Sequence, residues 1–272
     1  MKLEDVRVRF NQDFPVPKME LRGSMLAPPM TDHHALVGTA FDYLLRFYLE
    51  RLNSNATAWR WVAEHSVELL RRTRGGHLLG RAIVRGAKEA KAEYVRTGEV
   101  SDRLLESAIL LAQLDGVYRV GLIDPNLGVV DHHDIDDLRN ILSFVKPDLF
   151  KAKEACILNP VFAESRLVGG ADADFIIDDT LFEIKTTKYL GLRAEYYHQL
   201  VGYYALYSLG GLSFDPRVRI NISKLAIYYS RHGFVQEIDV STLLGATDFG
   251  AFLIWFQARA KRTYPPEDFP ER

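Results

Sequence analysis

The chain has 272 residues, with 34 Lys and Arg against 36 Asp and Glu, for a formal net charge of −2 at neutral pH. That balance excludes indiscriminate polyanion binding over the whole surface but permits a local basic groove. One cysteine excludes an internal disulfide framework, a four-cysteine zinc site and a four-cysteine iron–sulfur cluster.

A hydrophobic content of 47% with 26% charged residues is that of a large globular chain. The start of the chain is charged and has no apolar signal segment, and apolar runs such as 251–256 are far too short to span a bilayer. The expectation is a soluble, cytoplasmic protein with no membrane partner.

Residues 1–30 carry Pro15, Pro17, Pro28 and Pro29 among scattered charges, which predicts an irregular lead-in with one strand over 6–10. From Thr31 the pattern changes. Thr31 or Asp32 can cap a helix whose apolar positions Leu36, Val37, Ala40, Phe41, Leu44, Leu45 and Tyr48 keep helical spacing, with His33 and His34 in its first turn.

Further helices are predicted over 56–73, 76–97 and 101–115, the last capped by Ser101. Basic residues concentrate on the first two: Arg71, Arg72 and Arg74, then Arg81, Arg85, Lys88, Lys91 and Arg96. Arg81, Arg85 and Lys88 share one helix face, which reads either as a solvated surface or as a track for nucleic-acid phosphates.

The string Asp131-His132-His133-Asp134-Ile135-Asp136-Asp137 invites a metal reading. Its aspartates immediately precede the apolar stripe Leu138, Ile141, Leu142, so helix capping is the better expectation; His132 and His133 carry no assigned role. Past Pro147 a short helix leads to Asn159-Pro160, and the apolar neighbours of Cys156 make it a buried small hydrophobe.

Strands are then predicted over 161–167, 173–177 and 181–186, followed by an aromatic helix over 193–209. A second hairpin follows around His232-Gly233, then a last helix over 243–262 and a Pro-rich tail. This order implies an α/β (α+β) core with a sheet flanked by helices. Residues 1–156 form a mostly helical elaboration packed on a core spanning 157–272.

The stretch 168–203 carries the chemistry. If Asp178 and Asp179 form a two-residue turn, residues whose numbers sum to 357 face each other, so Asp174 lies opposite Glu183 and Asp172 opposite Lys185. Side chains alternate with period two, so all four project from one face, and Phe175, Ile177, Phe182 and Ile184 take the core face. Carboxylates crowded around one ammonium repel one another unless a cation joins them, which suits Mg²⁺ or Mn²⁺.

Asp174 followed by Glu183-Ile184-Lys185, with Gln199 and Tyr203 on the next helix, resembles the PD-(D/E)xK nuclease superfamily, specifically its RecB-type and phage lambda exonuclease-like branch with a Gln-x-x-x-Tyr element. The resemblance covers roughly 157–262 and implies a restriction-endonuclease-like mixed sheet. It also implies Mg²⁺ (or Mn²⁺) ligation by Asp174, Glu183 and the carbonyl of Ile184, with Lys185 orienting the attacking water. Asp172, after Gly169-Gly170, is the alternative or additional ligand.

The same likeness places Gln199 near the metal centre, Tyr203 against nucleic acid, and an upstream acid or histidine on an early helix, a role that Asp42 or His34 can fill. DNA is the implied partner, with a helicase or other nucleic-acid-processing protein beside it. The chain itself has no Gly-x-x-x-x-Gly-Lys-Ser/Thr motor motif. The implied activity is metal-dependent hydrolysis of DNA phosphodiester bonds in repair, recombination or defence. The alternatives are a non-catalytic DNA-binding or assembly subunit and a purely structural salt-bridge network.

Overall fold

The computed structural model describes residues 4–73, 75–213, 220–245 and 247–264. The N-terminal half holds helices α1 (Glu4–Asp13) and α2 (His34–Leu52), strand β1 (Ala56–Ala58), and helices α3 (Val62–Leu69), α4 (Gly76–Thr97), α5 (Asp102–Val120) and α6 (His132–Ser143). After it come strands β2 (Cys156–Leu158), β3 (Phe175–Ile177) and β4 (Thr180–Lys185), helix α7 (Ala194–Gly210), strands β5 (Lys224–Tyr229) and β6 (Phe234–Asp239), and helices α8 (Val240–Gly245) and α9 (Phe249–Thr263). Arg74, counted above in the basic run, and the Pro-rich tail from 265 onward lie outside the described residues, as does the side chain of Arg72.

Among the described residues, six strands form one open mixed sheet in the order β1-β2-β3-β4-β5-β6. The β1–β2 and β4–β5 pairs are parallel and the other three antiparallel. Helix α7 makes the crossover between β4 and β5, as a parallel pair requires.

Both faces of the sheet are covered. Phe175, Ile177, Phe182 and Ile184 pack into a core shared with α2, α4, α5 and α6, whereas Ile176, Leu181, Ile227 and Tyr229 pack into a second core with α1, α7 and α9. The period-two alternation of β4 thus serves two apolar layers.

The predicted hairpin is present in its expected register, with Phe175 opposite Phe182, Ile176 opposite Leu181 and Ile177 opposite Thr180. Asp178 adopts a left-handed φ of 51° at the turn, which Asp tolerates better than most residues. Its carboxylate accepts backbone N–H bonds from Glu154 at 2.7 Å, Ala155 at 3.0 Å and Lys153 at 3.1 Å, latching the turn to the segment before β2. Burial pushes this carboxyl up, and those donors outweigh it and hold the pKa below the usual range.

One expectation about this hairpin changes. The acidic face is not opposite the only core, because Ile176 and Leu181 on it are also buried; the charges occupy one end of an otherwise apolar surface.

Five local expectations give way to tertiary context. Residues 6–10 are helical rather than a strand, because Val6, Phe10 and Phe14 recur every four residues and meet a helix: Phe252 of α9 lies edge-on to Phe10 at 5.1 Å and to Phe14 at 4.7 Å. Residues 56–58, placed above at a helix start, pair instead with Cys156–Leu158, a partner no local pattern reveals.

The strand expected over 161–167 lies earlier, at Cys156–Leu158. Asn159 turns left-handed with φ 56° and Pro160 ends the run, leaving only bridges from Val161 to Asp172 and Phe162 to Leu212. The last helix is two, restarted by Asp248, whose carboxylate accepts from the Ala251 N–H at 3.0 Å. The N-cap position of α2 falls to His33, which makes no side-chain cap bond, while Thr31 Oγ1 accepts the His33 N–H at 3.1 Å.

Capping of α6 falls to Asp131, which accepts from the His133 N–H at 2.9 Å. Asp134 instead faces the His33 ring at 3.0 Å, and Asp137 is buried in a two-pronged pair with Arg231, both contacts at 2.8 Å. Within the two-part division described above, β1 belongs to the same sheet as the core strands, and the boundary at 156–157 falls inside β2.

Candidate active site

The charged end of the β3–β4 face is built from three elements. Asp174 lies one residue before β3 and Glu183, Ile184 and Lys185 close β4, so the hairpin register brings Asp174 beside Glu183. The Asp174 Oδ2 accepts the Ile184 N–H at 2.5 Å, which fixes the carboxylate at the end of the ladder. Helix α7 starts immediately downstream and brings Gln199 and Tyr203, one turn apart, over the same end.

Lys185 is held by three groups. Its Nζ donates to Glu183 Oε1 at 2.6 Å and to Gln199 Oε1 at 2.9 Å, and stands 4.8 Å from the ring centre of Tyr196. Gln199 Nε2 in turn donates to the Tyr203 hydroxyl at 2.7 Å, while the Tyr203 ring stacks on Phe162 at 5.4 Å. Burial, then the fields of Glu183 and Asp174, hold the Tyr203 phenol far above its usual pKa, so it stays protonated.

Helix α2 supplies the third side. Asp42 is paired with Arg46 one turn on, and Arg46 Nη1 donates to Asn159 Oδ1 at 3.0 Å, tying the helix to the turn after β2. Asp42 therefore lies within electrostatic reach of Asp174, whereas His34 is exposed at the start of α2.

Asp172 is placed differently from expectation. Its backbone bridges Val161 rather than continuing the ladder opposite Lys185, because the chain leaves β4 to pair with 159–161: Asn159 N–H donates to the Asp174 carbonyl at 2.8 Å and Ala173 N–H to that of Pro160 at 3.1 Å. The Asp172 carboxylate faces Arg119 at 3.8 Å, and Arg119 also holds Asp115 at 3.0 Å.

The electrostatics of this cluster are unbalanced. Five carboxylates, Asp42, Asp115, Asp172, Asp174 and Glu183, share three cations, Arg46, Arg119 and Lys185. Burial, then the Glu183 charge, push the Asp174 carboxyl up to about 8; burial, with the Asp174 charge adding to it, pushes Asp42 up to about 7, and Glu183 is raised chiefly by burial. One oxygen each of Asp42 (Oδ1) and Glu183 (Oε2) is buried with no hydrogen-bond partner. Buried polar atoms are rarely left so, and each unpaired one carries a desolvation cost of roughly 1–3 kcal/mol.

These features fit a divalent cation. It would take the place of the protons that the raised pKa values hold there and give the orphaned Glu183 oxygen a partner. Among the described residues no group of three or more His, Cys, Asp or Glu side chains is already arranged to hold a metal. Mg²⁺ does not need such a cage, since it keeps several waters and uses one or two carboxylates. Asp174 and Glu183 are the pair available.

A cleft of about 1140 Å³ opens beside the cluster, walled by Asp172, Arg119, Gln199 and Tyr203 and continued by α1 and α9. Arg81, Arg85 and Lys88 are not on it. They line a separate cleft of about 660 Å³ between α3 and α4, where Lys88 pairs with Glu64 at 2.9 Å.

Sequence reasoning missed Arg46, Arg119, Asn159 and Tyr196. The i,i+4 pairs Asp42–Arg46 and Asp115–Arg119 were readable signals for the first two; nothing local marks the others. Cys156 is buried, and its thiol is pushed up to about 12 mainly by that burial, so it is chemically quiet. Among the described residues, no helix is long and apolar enough to cross a membrane. No family profile, curated protein or solved structure matches the chain.

Proposed function

We infer that the protein is a metal-dependent nuclease acting on DNA, with a restriction-endonuclease-like core and its centre at Asp174, Glu183 and Lys185. One observation carries the reading: a partly buried carboxylate cluster with excess negative charge and two unpartnered oxygens lies against a lysine fixed by Glu183, Gln199 and Tyr196. A structural salt-bridge network alone gives no reason for burying that excess, and burial first, then the neighbouring carboxylate charges, raise the pKa values of Asp42 and Asp174.

Asp174, Glu183 and the Ile184 carbonyl would hold a divalent ion, which would supply Lewis-acid polarisation of a phosphate and acidification of water. The chain's own groups do the rest. Lys185, restrained by its partners, donates to a phosphate oxygen or to the attacking water, stabilising charge that grows in the transition state. Gln199 accepts from Lys185 and donates to Tyr203, so its amide orientation is fixed and it sets where the ammonium points.

Asp42, locked by Arg46, adds negative potential beside Asp174 and strengthens cation binding. Arg119, half-exposed at the cleft mouth, is placed to receive a neighbouring phosphate.

The test is incubation with linear and circular DNA in Mg²⁺, Mn²⁺ or EDTA, beside Lys185→Ala and Glu183→Ala. Cleavage is expected only with metal, and each substitution is expected to slow it by roughly 10³-fold. Cleavage that survives EDTA or both substitutions rejects the site. Tight DNA binding without cleavage in either metal points instead to an assembly subunit that keeps the fold.

A further inference from the structure

The segment from Lys185 into the first turn of α7 carries an arrangement of which the catalytic cluster uses only Lys185 and Tyr196. Lys188 Nζ lies 5.2 Å from the ring centre of Tyr189, and the Arg193 guanidinium lies 5.2 Å from Tyr189 and 5.8 Å from Tyr196. Tyr196 is the same ring that faces Lys185. A continuous row, Lys188, Tyr189, Arg193, Tyr196, therefore ends on the reactive lysine.

Tyr189 is 56% exposed, a large aromatic left in solvent beside two exposed cations. Over 185–196 three basic residues stand against one acid, Glu195, in a chain whose net charge is −2. Interleaved aromatics and cations match a chain of bases and phosphates. Surface cation–π contacts such as these are weaker than base stacking, so a base can displace them while the cations move onto phosphate.

We propose that the substrate is single-stranded DNA, bound with unpaired bases on Tyr189 and Tyr196 and with phosphates drawn past Lys188 and Arg193 onto Lys185. A duplex offers no free base face to an exposed ring, since its bases are already stacked and paired; only an unpaired strand uses what this row presents. The proposal rests on the nuclease reading for what happens to the strand, and specifies which strand enters.

Fluorescence anisotropy in EDTA, with one labelled single-stranded oligonucleotide and the blunt duplex of the same sequence, tests it. Single-strand binding is expected to be the tighter, to weaken about tenfold in Tyr189→Ala, and to be retained in Tyr189→Phe, which keeps the ring. Lys188→Ala and Arg193→Ala are each expected to flatten the dependence of log affinity on log salt by about 0.7.

Equal or tighter duplex binding overturns the proposal, as does a Tyr189→Ala protein that binds single strands normally. Metal-dependent cleavage by a protein with either property leaves the nuclease reading standing and removes this one. Single-strand preference that depends on Tyr189, without cleavage in Mg²⁺ or Mn²⁺, removes the nuclease reading and retains the row as a strand-binding surface.

Discussion

At the scale of single residues, Asp174 couples the proposed chemistry to stability. Its carboxyl, ordinarily near 3.8, is raised to about 8 by burial and the neighbouring Glu183 charge, and Asp42 is raised to about 7. A raised carboxyl keeps its proton in the native protein over a range where the unfolded chain has lost it. The native state then binds more protons, and stability falls as pH climbs between those values. In EDTA the melting temperature is therefore expected to drop as pH rises from about 5 toward 8, with Asp174→Asn flattening the slope. Mg²⁺ or Mn²⁺ is expected to restore stability most at the alkaline end, where the carboxylates are free to bind it. A metal-free profile that rises over this range in thermal melts would falsify the assignment of the shifts.

At the scale of elements, two contacts hold the layers around the sheet. Arg231, at the β5–β6 turn, and Asp137, in α6, are each almost wholly buried and joined by two bonds of 2.8 Å. Arg231 also donates to the Ala27 carbonyl at 3.1 Å, which fastens the segment before α2. Asp137→Ala strands a buried guanidinium and is expected to cost about 3–5 kcal/mol by urea denaturation. Arg231→Met with Asp137→Leu is expected to recover most of it, since replacing both charges removes the desolvation cost. Across the sheet, Phe10→Ala is expected to cost about 3–5 kcal/mol by the same measurement, because its ring is 1% exposed among Phe14, Phe252 and Phe256.

At the scale of the whole molecule, the helical half completes the sheet as well as covering it. Strand β1 pairs with β2, and the apolar layer under Phe175, Phe182 and Tyr228 is shared with α2, α4, α5 and α6. Residues 157–272 expressed alone are thus expected to lack one core face and all of Asp42 and Arg46. Such a fragment is expected to bind a hydrophobic dye and to give a poorly dispersed NMR spectrum, while the full chain does neither. A well-dispersed, stable fragment would show that the first half is an independent addition.

What the sequence determined by itself is what depends on neighbours along the chain. The β3–β4 register follows from one Asp-Asp turn flanked by apolar runs, and it alone puts Asp174 beside Glu183. The one-turn spacing of Gln199 and Tyr203 and the long helices α2, α4, α5 and α7 follow from the same short-range periodicity. Tertiary structure decided whatever depends on a distant partner: that 56–58 is a strand, that 6–10 is a helix, that Asp137 meets Arg231, and that Asp172 turns away to Arg119. The excess charge of the cluster belongs to this second kind. Its acids come from α2, α5 and the hairpin, and burial, which only the folded chain creates, is what raises their pKa values.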